Sequence, residues 1–581
     1  MRGWGFIAVC LAVLVGLGGS YGARVLPVHA APSLVGRVDA SGAATATPVR
    51  TPRATRTPRP TVGPRPTRTP RPTATPLPAD LVVTSTGDAP SCPKGPGNPA
   101  YTLRCALYDA DGVKIKTTIS FAIPATDAGC HAVNRGSQTV TACTIAVKRT
   151  LPSLTASGIT IDGTSQAGSA ANTNSSTASG SNAVTTIQID GSSAPGAGLT
   201  IQRATGDTIE GLAITNFHHG SAIAINGAHD ALVRGNVIGM TPNGVDAGNV
   251  HGITLAGAVD SIIGGDTPGA SNAVTASSSD GLSVEGGSGN AIRGNYIGAG
   301  LAGASTRGNA GVGIAIGKGA QKTRITDNLI TRSGREGILI DKSPVVIERG
   351  SFVGNKELGI DVIPFNVPNC SITVRNPHGS VPCPVIRSVS AGQVRGTACK
   401  GCTVQLYVAG GDTTGRGFGE GKTYLGQALA RTGSWTIKLG SHQLNPATQQ
   451  VTATDTTSGA AAATSEFALN MPIHLHFKHL GATYALRHIK AKGLKPARTV
   501  ETGILFSWTL TSQVGVAGFD LYGNGHRLDT HMIRARSQTT YKVLLRLGGH
   551  RVVKGPFTLS VLLKNGLRQT FPIQLAAAKK G

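Results

Sequence analysis

Arg234-Gly235-Asn236-Val237-Ile238-Gly239 is followed by Ala247-Gly248-Asn249 and then by Gly252-Ile253-Thr254-Leu255. The same order returns as Arg293-Gly294-Asn295-Tyr296-Ile297-Gly298, Asn309 and Gly313-Ile314-Ala315-Ile316, and Thr326-Asp327-Asn328-Leu329-Ile330 continues the series. Working outward, six short motifs each place two aliphatic residues two apart. They start at Ile223, Ile253, Leu282, Ile314, Ile338 and Ile360, at separations of 30, 29, 32, 24 and 22 residues. Aliphatics two apart point to one face of a strand, and helical spacing is absent. Self-similarity at this period means stacked units. Two or three short strands joined by Gly/Asn turns make one coil, and coils stacked on one another bury a continuous apolar column. A recurring Asn at a turn can hydrogen-bond to its equivalent in the next coil and satisfy backbone groups that the turn leaves unpaired. Asn236, Asn295 and Asn328 are therefore read as a structural ladder.

Composition agrees with thin β layers. Glycine accounts for 79 of 581 residues, against 4% aromatic and 14% charged residues. Few large side chains and many turn formers argue against a helical bundle and a large doubly wound enzyme. The net charge of +25 is uneven. Residues 49–78 carry seven Arg and no acid, and residues 471–581 carry 17 Lys/Arg against three acids, so the centre is nearly neutral. A basic terminal segment of this kind fits a polyanionic partner.

The repeats resemble the right-handed parallel β-helix proteins of bacterial surfaces, a pectate-lyase-like superfamily. The resemblance is carried by the Gly-Asn-x-Ile-Gly…Gly-Asn rungs, by Ile159-Thr160-Ile161-Asp162-Gly163-Thr164 and by Gly206-Asp207-Thr208-Ile209-Glu210-Gly211-Leu212. Thr102-Leu103-Arg104-Cys105-Ala106-Leu107 resembles the segment that opens such proteins near a helical cap, with Cys105 as the departure. The resemblance covers about residues 81–365. Residues 385–470, from Gly396-Thr397-Ala398-Cys399 through Gly433-Ser434-Trp435 to Thr464-Ser465-Glu466-Phe467, resemble the Ig-like modules that follow β-helices in exported bacterial proteins. The expected class is all-β: a right-handed single-stranded parallel β-helix followed by two small β-sandwich-like domains. The expected boundaries are a signal peptide at 1–30, a Thr/Pro/Arg-rich disordered linker at 31–80, a cap with first rungs at 81–200, the β-helix at 201–384, an Ig-like sandwich at 385–470 and a basic β domain at 471–581.

Export is read from Arg2, an apolar run from Trp4 to Leu17 and the cleavage-type Val28-His29-Ala30; an uncleaved anchor is the alternative. No other segment is apolar enough to span a bilayer, so no integral span is expected after signal removal. Repeated Thr-Pro-Arg units such as Arg56-Thr57-Pro58-Arg59 read as an extended spacer. Without Cys10, eight cysteines remain, in an even count suited to disulfides: Cys92, Cys105, Cys130, Cys143, Cys370, Cys383, Cys399 and Cys402. Pairing of sequence neighbours is the expectation among many connectivities. Cys399-Lys400-Gly401-Cys402 also has the form of a redox or zinc half-site, although a structural clip is preferred.

Chemistry is less legible. A hydrolase of the polygalacturonase type needs paired aspartates, and the chain has no Asp-Asp pair. His219, within His218-His219-Gly220-Ser221, resembles a fragment of that family's motif. A lyase needs a base and a cation for the developing enolate. Asp327, Arg332, Arg335, Glu336 and Asp341 lie close in sequence on successive turns and are candidates for a cleft, with solvated ion pairs as the alternative. No cofactor is expected; Ca²⁺ at the turn carboxylates Asp246, Asp260 or Asp266 is the alternative. His474, His476 and His479 suit a basic face better than a zinc site. No groove-reading nucleic-acid motif is present. The expectation is a monomeric, secreted or cell-surface, non-catalytic protein that presents a β-helix face to polysaccharide or an anionic wall or matrix polymer. A polyuronate lyase or glycoside hydrolase is the alternative.

Overall fold

A computed structural model describes residues 80–576 except 93–96, 99, 114, 136–137, 177–178, 305, 364–369, 371–380, 390–391, 412, 441, 443, 445–448, 473–476, 490–497, 511–515, 537, 547–555 and 564–567. The signal peptide, almost all of the linker, His474 and His476 lie outside the described residues.

Each coil contributes three short strands to three sheets. The six aliphatic doublets form the third sheet, on strands that include Ser221–Asn226, His251–Ala256, Leu282–Glu285, Ile314–Ile316, Ile338–Ile340 and Ile360–Val362. Their register is parallel and unbroken: Ile223, Ile253, Leu282, Ile314, Ile338 and Ile360 lie one over the next, as do Ile225, Leu255, Val284, Ile316, Ile340 and Val362. All twelve are buried in one apolar column. Each such side chain contributes roughly 1.5–3 kcal/mol. The first sheet runs from Asp80–Val83 to Val345–Glu348 and turns Ile209, Val233, Ile263, Ile292 and Ile325 to the same column. The second begins with an antiparallel strand pair, the hairpin Cys130–Arg135 and Gln138–Ala146, and ends at Ser351–Val353.

The corners explain the Gly-Asn motif. Asn236 Nδ2 donates to Asn272 Oδ1, Asn272 Nδ2 to Asn295 Oδ1 and Asn295 Nδ2 to Asn328 Oδ1, each at 3.0 Å. The same oxygens accept backbone N–H groups of the preceding coil, including Asn236 N–H at Asn272 and Asn272 N–H at Asn295. The amides also donate to Ile209, Val233, Ile263 and Ile292 carbonyls. One side chain thus satisfies a backbone N–H and a backbone C=O of the preceding coil and links to the next Asn. Asn272 was not legible as a ladder member because a longer loop, with Pro268–Ala270 as a 3₁₀ turn, precedes it in place of Gly. A second ladder at the next corner uses Asn249, Asn309 and Asn355. The closing glycine of the motif is a steric requirement: at Gly298, with φ +80°, a Cβ would collide with the Thr331 carbonyl oxygen of the next coil.

Both ends of the stack are covered. At the first coil lies the helix Leu103–Gly112, N-capped by Thr102, with Leu103, Ala106, Leu107 and Ala110 packed into the column. Arg104 makes a buried two-pronged pair with Asp88 at 2.7 and 3.0 Å and donates to the Arg149 and Thr150 carbonyls. Burial opposes ionisation of Asp88, but hydrogen bonds from Arg104 and the Lys148 N–H prevail and lower its pKa.

At the last coil, residues 385–472 supply the cover. They form antiparallel sheets of Val385–Val389, Gln393–Thr397 and Ser434–Lys438 on one side, and Gly421–Leu429, Thr403–Ala409, Gln450–Thr456 and Met471–Pro472 on the other. Thr464 takes up the edge of the first sheet, with its N–H on Val345 O and its Oγ1 accepting from Ile347 N–H. Gln405 accepts from Arg349 N–H and donates to Ile347 O. Glu420 accepts from the Asn355 and Gly354 N–H groups, which closes the second ladder, and Glu466 accepts from Val362 N–H. Phe467 and Tyr407 complete the column, with Phe467 edge-on to Phe352 at 5.2 Å. A further set of antiparallel strands, from Phe477–Ile489 to Arg568–Ile573, shares a second core with this cover around Trp435, Trp508 and Phe519. The structure joins Cys92 to Cys105, Cys130 to Cys143, Cys370 to Cys383 and Cys399 to Cys402. Among the described residues no helix is long and apolar enough to cross a membrane.

Two outcomes follow for stability. Replacing Asn295 by Ala strands buried N–H and C=O groups on two coils and should cost about 2–4 kcal/mol in chemical or thermal unfolding, whereas Asn243→Ala on an exposed loop should cost less than about 0.5 kcal/mol. Burial pushes Glu420 up to about 7 and Asp207 up to about 6, against the N–H bonds they accept. Both folded pKa values are raised, so the folded state binds more protons than the unfolded chain, and stability falls as pH rises from about 4 to about 7. The melting temperature should therefore be higher at pH 5 than at pH 8, and the difference should shrink in a Glu420→Gln, Asp207→Asn double variant.

Candidate functional site

The outward face of the second sheet carries Val237, Ala273, Tyr296, Leu329 and Ser351 in one register row. Most of this row is covered. The long loop after Gly163–Ser165 folds down on it, with the Tyr296 hydroxyl donating to the Asn174 and Ser175 carbonyls and Asn172 Nδ2 donating to that hydroxyl. Toward the last coils the cover ends at Ser176 and Ser179, and the strand Gly421–Leu429 of the C-terminal cover rises opposite. Between them lies a cleft of about 570 Å³ floored by Leu329, Thr331, Ser351 and Val353.

Its walls are basic and aromatic. Asp327, Arg332 and Arg349 come from the β-helix, Lys422 and Tyr424 from the cover. Asp327 and Arg349 face one another in a two-pronged pair at 2.9 and 2.7 Å, and Arg349 also approaches Glu348. Its hydrogen bonding to Asp327 raises the Arg349 pKa further. Arg332 and Lys422 are exposed, and no described acidic residue pairs with either. Arg332 is held at φ +52°, at the corner that ends its strand. Burial raises the Tyr424 pKa, and the Arg349 charge opposes the rise, so its hydroxyl stays protonated. The wall therefore offers two cations with no described acidic partner and the Tyr424 ring, whose hydroxyl donates to Gln427 Oε1 at 3.3 Å, beside a polar and apolar floor. An anionic, hydroxyl-rich ligand satisfies that set.

The sequence cluster of Asp327, Arg332, Arg335, Glu336 and Asp341 is divided by the fold. One coil turns three corners over this stretch, at 327–328, 332–337 and 341–344. Asp327 and Arg332 reach the cleft. Arg335 and Glu336 sit at the corner toward the third sheet, where Glu336 is wholly buried and 3.4 Å from Arg335. Burial and a hydrogen bond with Glu357 push the Glu336 pKa up. This carboxyl is packed inside, not on a solvated face. Asp341 lies at the third corner.

His219 is exposed at a turn after the strand Ala213–Thr215, away from the cleft lining. Asp246, Asp260 and Asp266 occupy three different corners of one coil and do not converge. Asp246 accepts from Arg307 N–H and pairs with its guanidinium at 3.5 Å, and Asp266 pairs with Arg293 at 3.0 Å. Among the described residues, one set of Cys and acidic side chains has metal-like spacing: Cys399, Cys402 and Asp455, within 4.8 Å of one another. The two sulfurs are bonded to each other and so are not thiolate ligands in this state. His479 Nε2 meets Ser507 Oγ at 2.7 Å. Arg349, Lys422 and Tyr424 escaped the sequence reading. Lys422 and Tyr424 stand some seventy positions beyond Ser351, in another module, and no local motif marks them.

No curated protein matches the chain. Among solved structures, a mutant of the periplasmic alginate epimerase AlgG is similar over 42% of this chain and 55% of its own, at 13% identity and a TM-score of 0.23. This chain therefore spans about half of the epimerase's length. The full-length tailspike protein 2 of the Escherichia coli O157:H7 bacteriophage CAB120 is similar over 73% of this chain and 69% of its own, at 10% identity and a TM-score of 0.24. A protein of Geobacillus virus E2 is similar over 65% and 73%, at 10% identity and a TM-score of 0.22. Residues 221–383, which hold the in-register doublets, match the family described as the right handed beta helix region, and the parallel stack is a right-handed β-helix of that kind.

Proposed function

We propose that the protein is an exported, non-catalytic carbohydrate-binding protein whose cleft beside the last coils takes an acidic polysaccharide. The observation that carries this reading is the pair of cations with no described acidic partner, Arg332 and Lys422, flanking Tyr424 over the floor of a cleft of about 570 Å³. A uronate offers a planar carboxylate for the Arg332 guanidinium and Lys422, and a sugar face for the Tyr424 ring. Two groups of one charge with no described acidic partner keep their attraction for an incoming anion.

Catalysis fits the cleft less well. The single described carboxylate in its lining, Asp327, is bound by Arg349, and no histidine lines it. Proton abstraction next to a uronate carboxylate needs a base within hydrogen-bond reach. Tyr424 is held in its protonated form and serves as a donor. The basic C-terminal module reads as a second contact for polyanions. Asp520 there is shared by Arg527 and Arg568, whereas Lys478, Arg534, Lys542 and Arg546 have no described acidic partner.

Calorimetry with uronic-acid oligomers should show binding that weakens as salt is raised, and matched neutral oligomers should bind weakly or not at all. Arg332→Ala and Lys422→Ala should each weaken the affinity by about tenfold, a loss of roughly 1.4 kcal/mol. Equal affinity for neutral and acidic oligomers would defeat the reading. Incubation with polyuronate, with and without Ca²⁺, should release no unsaturated product absorbing in the ultraviolet and no new reducing ends. Either product would establish the lyase or hydrolase alternative. Removing residues 471–581 should free the protein from the cell envelope, and high salt should do the same; retention indifferent to salt would exclude charge-based contact.

A further inference from the structure

The loop joining Gln393–Thr397 to Thr403–Ala409 holds Cys399-Lys400-Gly401-Cys402. Three features set this bridge apart. It spans a sequence separation of 3, where the other three bridges each span 13, and constrains the unfolded chain least. The turn it closes is already fixed by backbone bonds: Cys402 N–H to Cys399 O, Gly401 N–H to Ala430 O and Ala430 N–H to Cys402 O, with Gly401 at φ +81°. Cys399 is half-buried, while Cys402 is 3% exposed.

The third feature is the neighbour. Asp455, on the adjacent strand Gln450–Thr456 opposite Val404, is wholly buried. Its Oδ2 lies 3.3 Å from Cys399 Sγ and takes only a long bond, 3.4 Å, from the Cys399 N–H, while its Oδ1 has no partner. A bonded disulfide sulfur has no proton to give a carboxylate. A buried, half-satisfied carboxylate against a closed bridge is costly unless the bridge opens. With the bridge open, the Cys399 thiol donates to Asp455 and the orphaned group is satisfied.

We propose that Cys399–Cys402 is a redox-active disulfide that exchanges with an external dithiol, with Asp455 as the proton donor and acceptor for Cys399. A thiolate of the dithiol attacks Cys399 Sγ; the Cys399–Cys402 bond breaks, and its electron pair leaves on Cys402 Sγ, which takes up a proton from water. The second thiolate of the dithiol then attacks its own sulfur in the mixed disulfide. Cys399 Sγ leaves with the electron pair and receives the proton of the Asp455 carboxyl, which reloads from water. Two electrons and two protons pass to the protein, and the dithiol becomes a disulfide. The reverse sequence oxidises a dithiol. Burial pushes Asp455 up to about 6, against the bond from the Cys399 N–H; the described groups facing it are uncharged. Asp455 can therefore both hold and release a proton near neutrality.

The test uses the full chain with graded dithiothreitol, followed by alkylation and peptide mapping. Cys399 and Cys402 should be labelled first, at a reductant level that leaves roughly nine-tenths of the Cys92–Cys105 and Cys130–Cys143 bridges closed. The rate of opening should carry a break near pH 6 beyond the reagent's own titration. In Asp455→Asn, checked for native circular dichroism, that break should vanish and the rate should fall at least about tenfold. Opening of Cys399–Cys402 no earlier than the others overturns the proposal, whether or not the variant folds. Early opening with an unchanged rate and pH profile in Asp455→Asn also overturns it, leaving an exposed but passive clip.

Discussion

A stack of parallel coils makes a demand that no single coil can meet. Every strand edge and every corner presents N–H and C=O groups that only the next coil can satisfy, so the pattern is stable in its interior and exposed at its ends. The interior solution at two of the corners is a buried Asn, which serves its own turn and the coil below. The end solutions differ. The N-terminal end uses a short helix with a buried Arg104–Asp88 pair, and the C-terminal end uses another module's side chains.

That second cover shapes the surface as well as the stability. Glu420 closes the ladder through Asn355, and Lys422 and Tyr424 follow it on the strand Gly421–Leu429 that begins at the next residue. The residue that terminates the stack thereby fixes the register of the two that wall the cleft. The cleft exists where the loop over the second sheet stops and the cover begins, at Ser176 and Ser179 on one side and Lys422 on the other. Binding geometry at this site is a by-product of how the helix is ended.

The buried acids divide by role. Asp88 is buried with the Arg104 guanidinium and the Lys148 N–H, and its carboxylate is held down. Glu420, Asp207 and Asp455 are buried with uncharged donors, and burial prevails. The difference lies in the donor: a fixed opposite charge offsets desolvation, whereas backbone N–H groups offset only part of it. The first kind holds a cap closed across the physiological range, and the second leaves protonation responsive near neutrality.

The sequence by itself determined the period, the strand faces, the inward doublets and the Asn of two-residue corners. Each is a local pattern repeated many times, and repetition makes a weak signal strong. Asn272 escaped because a longer loop disrupts the Gly-Asn spacing, and the second ladder stayed unassigned although Asn249 and Asn309 lay within the quoted rungs. The candidate site was half legible. Asp327 and Arg332 were named, but grouped with Arg335, Glu336 and Asp341, which the corners of the coil carry elsewhere. Only the tertiary structure decided that grouping, because neighbours along a coil diverge by a corner every few residues, while residues tens of positions apart stack directly. It also decided the placement of Arg349, Lys422, Tyr424 and Asp455, whose partners come from another coil or another strand and leave no trace in local spacing.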